Sequence, residues 1–448
     1  MRMDVYRECN APAAMWPKFG CVLFRFAFTY LLIYAFGSGN GTLWDLIPFG
    51  VGGWLSGHVA MLWFKPAELV AKSIFHLTGV AAHFHDTGSG DTAINWIAVG
   101  LMLLTALFVA IVWSIFDRNR REYRTLAAWL RFLLRLTLVF TLLGYGLNKV
   151  FPLQMPPPTL AVLNEPLGQS SPMTLLWTML GLNPFYESVC GIAEMSAGIL
   201  LLFRRTALAG GLLAGFVLCN VLLYNLFFDV PVKLYAAHLV LFSIAVVVPD
   251  SRALLDFFWR HKPATPSGVW VPPASRHSFR IAALAVECCL LALFVWFHIP
   301  PMFSAMVGHR NNILHPSTFT GEWRIETSGL GDDRMNDRLG LLTGEGQLAT
   351  EIFLEPNGNA MIRSADGQLW RTAFSIDPHK HTVAVSAYSF QGGDYTFVQP
   401  DDSHLVLEPS GKDSAERATL HLARVPLPKS YPLLTRGFHL VSEWGVER

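Results

Sequence analysis

The sequence has few charged residues. Asp, Glu, Lys and Arg make up 15% of its 448 residues, whereas apolar residues make up 52%. This balance is typical of an integral membrane protein with a soluble part, and the 32 Phe and 14 Trp residues suit a lipid-facing surface with interfacial aromatic side chains. The net charge of +1 leaves no basic footprint for a nucleic acid. The expected partner is therefore the lipid bilayer.

The chain is also poor in cysteine and in catalytic motifs. No cysteine forms a CxxC pair, and none follows residue 289. This excludes a thiol–disulfide enzyme and an outer domain held by disulfides. No P-loop, HExxH or nucleophile-elbow motif is present, so no reaction can be named from a motif. The six cysteines are Cys9, Cys21, Cys190, Cys219, Cys288 and Cys289.

Long apolar runs predict about seven membrane spans. Several are shorter than the ~20 residues that a straight span needs, so their limits are soft. The predicted spans are Gly20–Phe36, Ile94–Phe116, Leu130–Phe151, Ser188–Phe203, Leu208–Phe227, Lys233–Val248 and Arg280–His298, the last ended by Pro300–Pro301. Two further helices, at His58–Leu77 and Thr174–Leu182, are expected to be interfacial or re-entrant because they are amphipathic or too short to cross.

Basic residues predict the orientation. The loop Asp117–Arg124 carries four arginines, Arg204–Arg205 marks a second loop, and five basic residues lie between Arg252 and Arg280. All three groups fall on one side of seven spans, and the positive-inside rule makes that side cytoplasmic. The N-terminus, which lacks a cleavable signal, is then cytoplasmic, and the chain after His298 is extracytoplasmic.

The C-terminal part has a different composition, rich in turns and in alternating apolar residues. Turns at Asn357–Gly358 and Asp366–Gly367 predict two hairpins, and the regular spacing predicts seven or eight antiparallel strands. The fold class is thus an all-α polytopic membrane bundle with a four-helix core, followed by an all-β meander that forms a small barrel or a sandwich. The predicted domains are 1–129, 130–250, 251–303 and 304–448.

Two charged residues lie inside apolar runs and mark the main candidate site. Lys149 ends LLGYGLNKVF, and Glu194 lies in GIAEMSAGILLLF. A charge at the centre of a membrane helix costs about 2.5–3.5 kcal/mol on insertion scales, so such residues usually face the bundle interior and find a partner. From their depth we predict that the two pair. The pair either fixes helix register or forms a site for a proton, a quinone or a lipid-like substrate.

Other intramembrane polar residues are candidates for the same site. Arg135, with a snorkelling alternative, belongs to this set. Asn220 and Asn225 either bond between helices or line the site, and His238 either packs or relays protons.

The outer loops offer two further groups. Asp91, Asp229 and Lys233 form a candidate site next to a turn that Pro231 imposes. His76, His83, His85 and Asp86 have ligand chemistry for a transition metal, but their spacing matches no fixed zinc pattern, so no metal is assigned.

Two motifs between Leu130 and about Asp250 carry a family resemblance. They are RLTLVFTLLGYGLNKVF, with Arg135, Gly144 and Lys149, and GIAEMSAGILLLFRRTALAGG, with Glu194, Gly198 and Arg204–Arg205. This region, about a quarter of the chain, resembles the DoxX-like family of four-span membrane proteins. The additional spans, the outer β domain and the segments SGDT, SSPMTLLW and DVPVKL look like the larger DoxX-like proteins.

The resemblance implies a quinone-linked redox role, because some members are subunits of quinone-reducing sulfur oxidoreductases. No haem, flavin or iron–sulfur motif is visible, so electrons would come from a redox partner or from the substrate. A non-catalytic scaffold that presents the outer domain to an envelope partner is the first alternative. The architecture is also similar to that of vitamin K–dependent carboxylase-like enzymes, which implies Lys149 as a base. A transporter is a further alternative.

Overall fold

A computed structural model describes most of the chain. The described residues are 16–39, 43–44, 46–47, 49–85, 90–263, 277–326, 348–355, 359–377, 379–387, 393–410, 419–428 and 430–435. By their contacts they form two compact units, described separately below. The helical unit contains Met1–Val150 and Val189–Pro300, and the second unit contains Phe151–Ser188 and Pro301–Arg448.

Twelve α-helices occur in the described residues. They are α1 Lys18–Gly37, α2 Val51–Ser73, α3 Ala93–Phe116, α4 Arg124–Val150, α5 Leu160–Leu163, α6 Pro172–Gly181, α7 Pro184–Leu202, α8 Ala207–Phe227, α9 Lys233–Val247, α10 Ser251–Phe258, α11 His277–Leu314 and α12 Pro432–Thr435. Helices α2 and α6 correspond to the two expected non-spanning helices.

Seven helical segments of the described chain are long and apolar enough to cross a membrane, as the sequence predicted. They are Lys18–Gly37, Ala93–Phe116, Arg124–Val150, Pro184–Leu202, Ala207–Phe227, Lys233–Phe258 and Cys288–Leu314. The predicted end of the last span was wrong, because α11 continues through Pro300 and Pro301 to Leu314. Two prolines remove two backbone donors, but a helix still satisfies most backbone groups of a segment this apolar.

A buried arginine ties the first helices together. Arg25 of α1 donates to the hydroxyl of Tyr123 (2.8 Å), to Ser114 Oγ (2.7 Å) and to the carbonyl of Asp117 (2.7 Å). The Tyr123 hydroxyl in turn donates to the Asp117 carboxylate at 2.8 Å. These bonds fix α1 to the connection between α3 and α4, at the arginine-rich end of the helices.

Eight described strands of the second unit form a closed barrel. Each strand pairs antiparallel with the next, and β1 pairs with β8, so none of the described strands has a free edge. This confirms the predicted meander and selects a barrel over a sandwich. The strands are β1 Gly321–Glu326, β2 Ala349–Leu354, β3 Asn359–Ser364, β4 Leu369–Asp377, β5 Thr382–Ala387, β6 Gly393–Asp401, β7 His404–Ser410 and β8 Leu420–Arg424.

Apolar side chains fill the barrel. Trp323 is fully buried, and aliphatic and aromatic residues of every strand pack around it. The predicted turn at Asp366–Gly367 joins β3 to β4, with Gly367 at φ +88°. Asn357 and Gly358 lie outside the described residues, but β2 and β3 on either side of them pair as predicted.

Glu355, directly after β2, holds the segment between α4 and α7 against the barrel. Its carboxylate accepts the N–H groups of Leu160 (3.0 Å) and Ala161 (3.3 Å) at the start of α5. Arg363 donates to the carbonyl of Asn164 at 3.2 Å. Burial raises the pKa of Glu355, and the two N–H donors partly oppose that rise. The segment between α4 and α7 is therefore an integral part of the second unit.

Candidate functional site

Lys149 and Glu194 form a buried ion pair in the helical unit. The Nζ of Lys149 lies 2.7 Å from Oε1 and 2.8 Å from Oε2 of Glu194. Lys149 is 5% exposed and Glu194 is 3% exposed. The predicted pairing is thus confirmed. Both oxygens of a buried carboxylate thus hold the Lys149 amine inside the helical unit.

Glycines at the crossing of α4 and α7 bring the pair together. A Cβ on Gly191 would lie 2.5 Å from the carbonyl oxygen of Gly146 and 2.8 Å from Lys149 Cβ. Gly191, Glu194 and Gly198 are three and four residues apart, so they share the face of α7 that meets α4. Only a residue without a side chain permits this backbone approach, as in other close-packed membrane helices.

We expect Gly191→Ala to destabilise the helical unit by about 1–3 kcal/mol, the usual effect of overpacking. Alanine has a higher helix propensity than glycine by about 1 kcal/mol, so the same substitution at an uncrowded site would stabilise the helix. Gly144→Ala on α4 is the matched control, since a Cβ there meets nothing within 4 Å. Thermal unfolding of the purified protein in detergent measures both. Equal effects of the two substitutions would contradict the close crossing.

Tyr145 lies beside the ion pair. Lys149 Nζ lies 5.8 Å from the ring centroid of Tyr145, in cation–π range. The Tyr235 ring lies 6.5 Å from that of Tyr145, and the Tyr235 hydroxyl lies 3.2 Å from Thr141 Oγ1. Sequence reasoning had assigned Tyr145 and Tyr235 no role.

Arg135 lies far from this pair. Fourteen residues of helix separate it from Lys149, which corresponds to about 21 Å. Arg135 is buried, so the snorkelling alternative is wrong. One turn away, the buried Arg131 donates to the carboxylate of Asp250 in a salt bridge. The two arginines belong to a separate charged cluster at the arginine-rich end.

His238 contacts α1. Its Nε2 lies 2.6 Å from the Tyr30 hydroxyl, and its Nδ1 lies 2.6 Å from the carbonyl of Leu234. Its ring stacks on Tyr34 with 3.3 Å between centroids. Both ring nitrogens thus have partners, which favours the packing interpretation for His238.

The two asparagines of α8 differ in environment. Asn225 is buried, and its carbonyl accepts the N–H of Val230 at 3.0 Å where the helix ends. Asn220 is exposed, so its candidate place in a buried site is wrong.

Asp91, Asp229 and Lys233 are brought together as predicted. The Asp91 carboxylate accepts the backbone N–H groups of Lys233 (2.6 Å) and Leu234 (2.9 Å), so it caps α9. Lys233 Nζ lies 2.7 Å from Asp229 and 3.9 Å from Asp91. This group closes a loop over the start of α9, and its contacts are structural.

The three histidines considered as metal ligands form no metal-binding group among the described residues. His83 Nδ1 lies 3.4 Å from Lys72 Nζ, and His85 bonds to the carbonyl of His83 at 3.2 Å. His76 has a positive φ of 52°. Asp86 lies outside the described residues. Within the described ranges, no three His, Cys, Asp or Glu side chains are grouped so as to hold a metal.

Comparison with known proteins gives one clear relative. The uncharacterised protein YwoB of Bacillus subtilis (strain 168) is 31% identical over 124 residues, which are 28% of this chain and 79% of YwoB. The chain belongs to the YwoB family. No family model matches the sequence, and no solved structure matches it. Because YwoB is itself uncharacterised, membership in the YwoB family carries no activity to this chain.

Proposed function

We propose that the protein is a DoxX-like, redox-linked membrane subunit that binds a quinone or a similar amphipathic molecule beside Lys149 and Glu194. The observation that carries this proposal is the buried ion pair in an apolar bundle, with the Tyr145 ring in cation–π range of Lys149. Buried charges in membrane helices often mark proton or substrate pathways. The DoxX-like motifs noted in the sequence surround both residues.

The chemistry of this site is proton supply. Reduction of a quinone to a quinol takes up two electrons and two protons. A redox partner protein supplies the electrons, and Glu194 passes protons to the quinone oxygens. Lys149 keeps the carboxylate in place between transfers through its contacts with both Glu194 oxygens.

The test is quinone binding by the purified full-length protein in lipid nanodiscs. Quenching of tryptophan fluorescence by a short-chain quinone analogue reports affinity, and we expect Glu194→Gln to weaken it at least about tenfold, the effect of losing one charge-assisted contact. Asp250→Asn is the matched control, because it removes a buried carboxylate from a salt bridge at the other cluster of α4. Size-exclusion profiles verify that both variants are folded. Equal quinone affinity in Glu194→Gln and the parent protein would falsify the proposal.

A non-catalytic scaffold is the second candidate. Two observations favour it: Lys149 and Glu194 satisfy each other, and the barrel core is filled by apolar side chains. In this case the ion pair sets helix register and the barrel surface binds an envelope partner. A cellular phenotype that survives deletion of Ser304–Arg448 would rule it out. A base role for Lys149, as in carboxylase-like enzymes, first requires release of its amine from both Glu194 oxygens.

The proposed orientation places the N-terminus in the cytoplasm and the barrel outside. Its support is the exposed arginines of two loops, namely Arg118, Arg120 and Arg121 between α3 and α4, and Arg204 and Arg205 between α7 and α8. Labelling of a cysteine placed at Gly392 from the extracellular side of intact cells is the expected result.

A further inference from the structure

A groove lies between α1, α4 and α9 at the arginine-rich end of the helical unit. Its volume is about 630 Å³, within the range of small-molecule and cofactor sites. Its walls are almost entirely apolar, formed by Phe24, Leu31, Leu134, Leu241 and Ile244 among others. It lies outside the Lys149–Glu194 site, because α4 carries its groove residues from Arg124 to Leu134.

The mouth of this groove is cationic and aromatic. Arg124 lines it and has a side chain that is 44% exposed. Trp16 also lines it, and the Trp16 N–H bonds to the carbonyl of Arg121 at 3.1 Å, so the basic loop borders the mouth. That loop has four arginines against two acidic residues, Asp117 and Glu122.

Positive charges near the groove outnumber negative ones. Arg131 lines the groove but is buried and bound to Asp250, and Asp117 accepts from Tyr123. Glu122 pairs with Arg124 at 2.9 Å, in an exposed contact of the kind that contributes little and is readily exchanged. The loop therefore keeps a net positive charge of two beside an apolar slot.

We propose that this groove binds an anionic phospholipid, with an acyl chain between α1, α4 and α9 and its phosphate at Arg124. Each buried CH₂ group favours binding, and a basic residue at a membrane surface attracts anionic headgroups. A tryptophan at the mouth suits the headgroup depth. A quinone or a zwitterionic lipid fits the apolar slot equally well. A quinone has no charge to pair with the basic loop, and the cationic headgroup of a zwitterionic lipid is repelled by it, which decides for the anionic lipid.

The test is lipid retention by the full chain, measured by native mass spectrometry after exchange into micelles containing equal amounts of phosphatidylglycerol and phosphatidylcholine. We expect selective retention of phosphatidylglycerol. Arg124→Gln should lower its affinity about fivefold, which corresponds to about 1 kcal/mol for one basic residue at a membrane surface. Arg252→Gln is the matched control, because Arg252 is exposed and does not line the groove.

A second variant tests the slot itself. Ala245 lines the groove, so Ala245→Phe should displace the acyl chain, whereas Ala209→Phe on the exposed face of α8 should not. Equal retention of the two lipids, or an equal loss in Arg252→Gln and Arg124→Gln, overturns the proposal. Retention of a quinone analogue in place of phosphatidylglycerol also overturns it.

Discussion

Replacing Lys149 with methionine is expected to lower the free energy of unfolding of the helical unit by about 3–5 kcal/mol. The substitution keeps the length of the side chain and removes its charge, so the Glu194 carboxylate loses its partner in an apolar site and must either carry an unpaired charge or take up a proton. The penalty for such a charge exceeds what the ion pair itself contributes, because both charges were desolvated on folding. Thermal and denaturant unfolding in detergent measures the loss. Lys65→Met, at an exposed position of α2, should change stability by less than about 0.5 kcal/mol.

The double variant Lys149→Met/Glu194→Leu separates pairing from packing. With no charge left to bury, it should recover most of the stability that either single variant loses. A double-variant cycle should then give a coupling energy larger than the loss in either single variant, and so more than about 3–5 kcal/mol. Fully additive losses would mean that the two side chains act independently, and both the ion pair and the proton-handling site would then fail.

Periodicity and length predicted the spans, because a bilayer demands long apolar helices whatever their neighbours. The same reasoning located Lys149 and Glu194, since an isolated charge in such a helix requires a partner, and their similar depth suggested the pairing that the structure shows. The DoxX-like assignment remains a prediction. The helix through Pro300–Pro301 was missed because proline was treated as an absolute stop, whereas membrane helices tolerate it.

Partners that lie far apart in the sequence were the main omission. Asp250 binds Arg131 across 119 residues, and Asp91 caps α9 across 142 residues. A carboxylate at the end of a predicted helix does not indicate which other helix it will contact. Alternation of apolar and polar residues predicted the strands, because it is a local pattern. Closure of the barrel depends on the pairing of β1 with β8, which no local pattern reveals.

The barrel supplies the second large effect: Trp323→Ala should lower the free energy of unfolding of the second unit by about 3–5 kcal/mol. Trp323 is fully buried, its Nε1–H donates to the carbonyl of Phe319 at 2.9 Å, and the Arg424 guanidinium lies 4.7 Å from its ring centroid. Removing this side chain therefore leaves a cavity and a Phe319 carbonyl without its hydrogen-bond donor. It also removes the ring that faces the Arg424 guanidinium, at the place where β1 pairs with β8. Limited proteolysis and tryptophan fluorescence during denaturation follow the change.

Trp370→Ala is the matched control for this seam. Trp370 is only partly buried and donates to Ser364 Oγ at 3.1 Å, so its removal should cost about 1 kcal/mol. Similar losses for both variants would contradict a barrel packed around Trp323.

The comparison also separates the two candidate functions. A scaffold needs a folded barrel, so its cellular phenotype should fail in Trp323→Ala, whereas quinone affinity depends on Lys149 and Glu194 and should persist in Trp323→Ala.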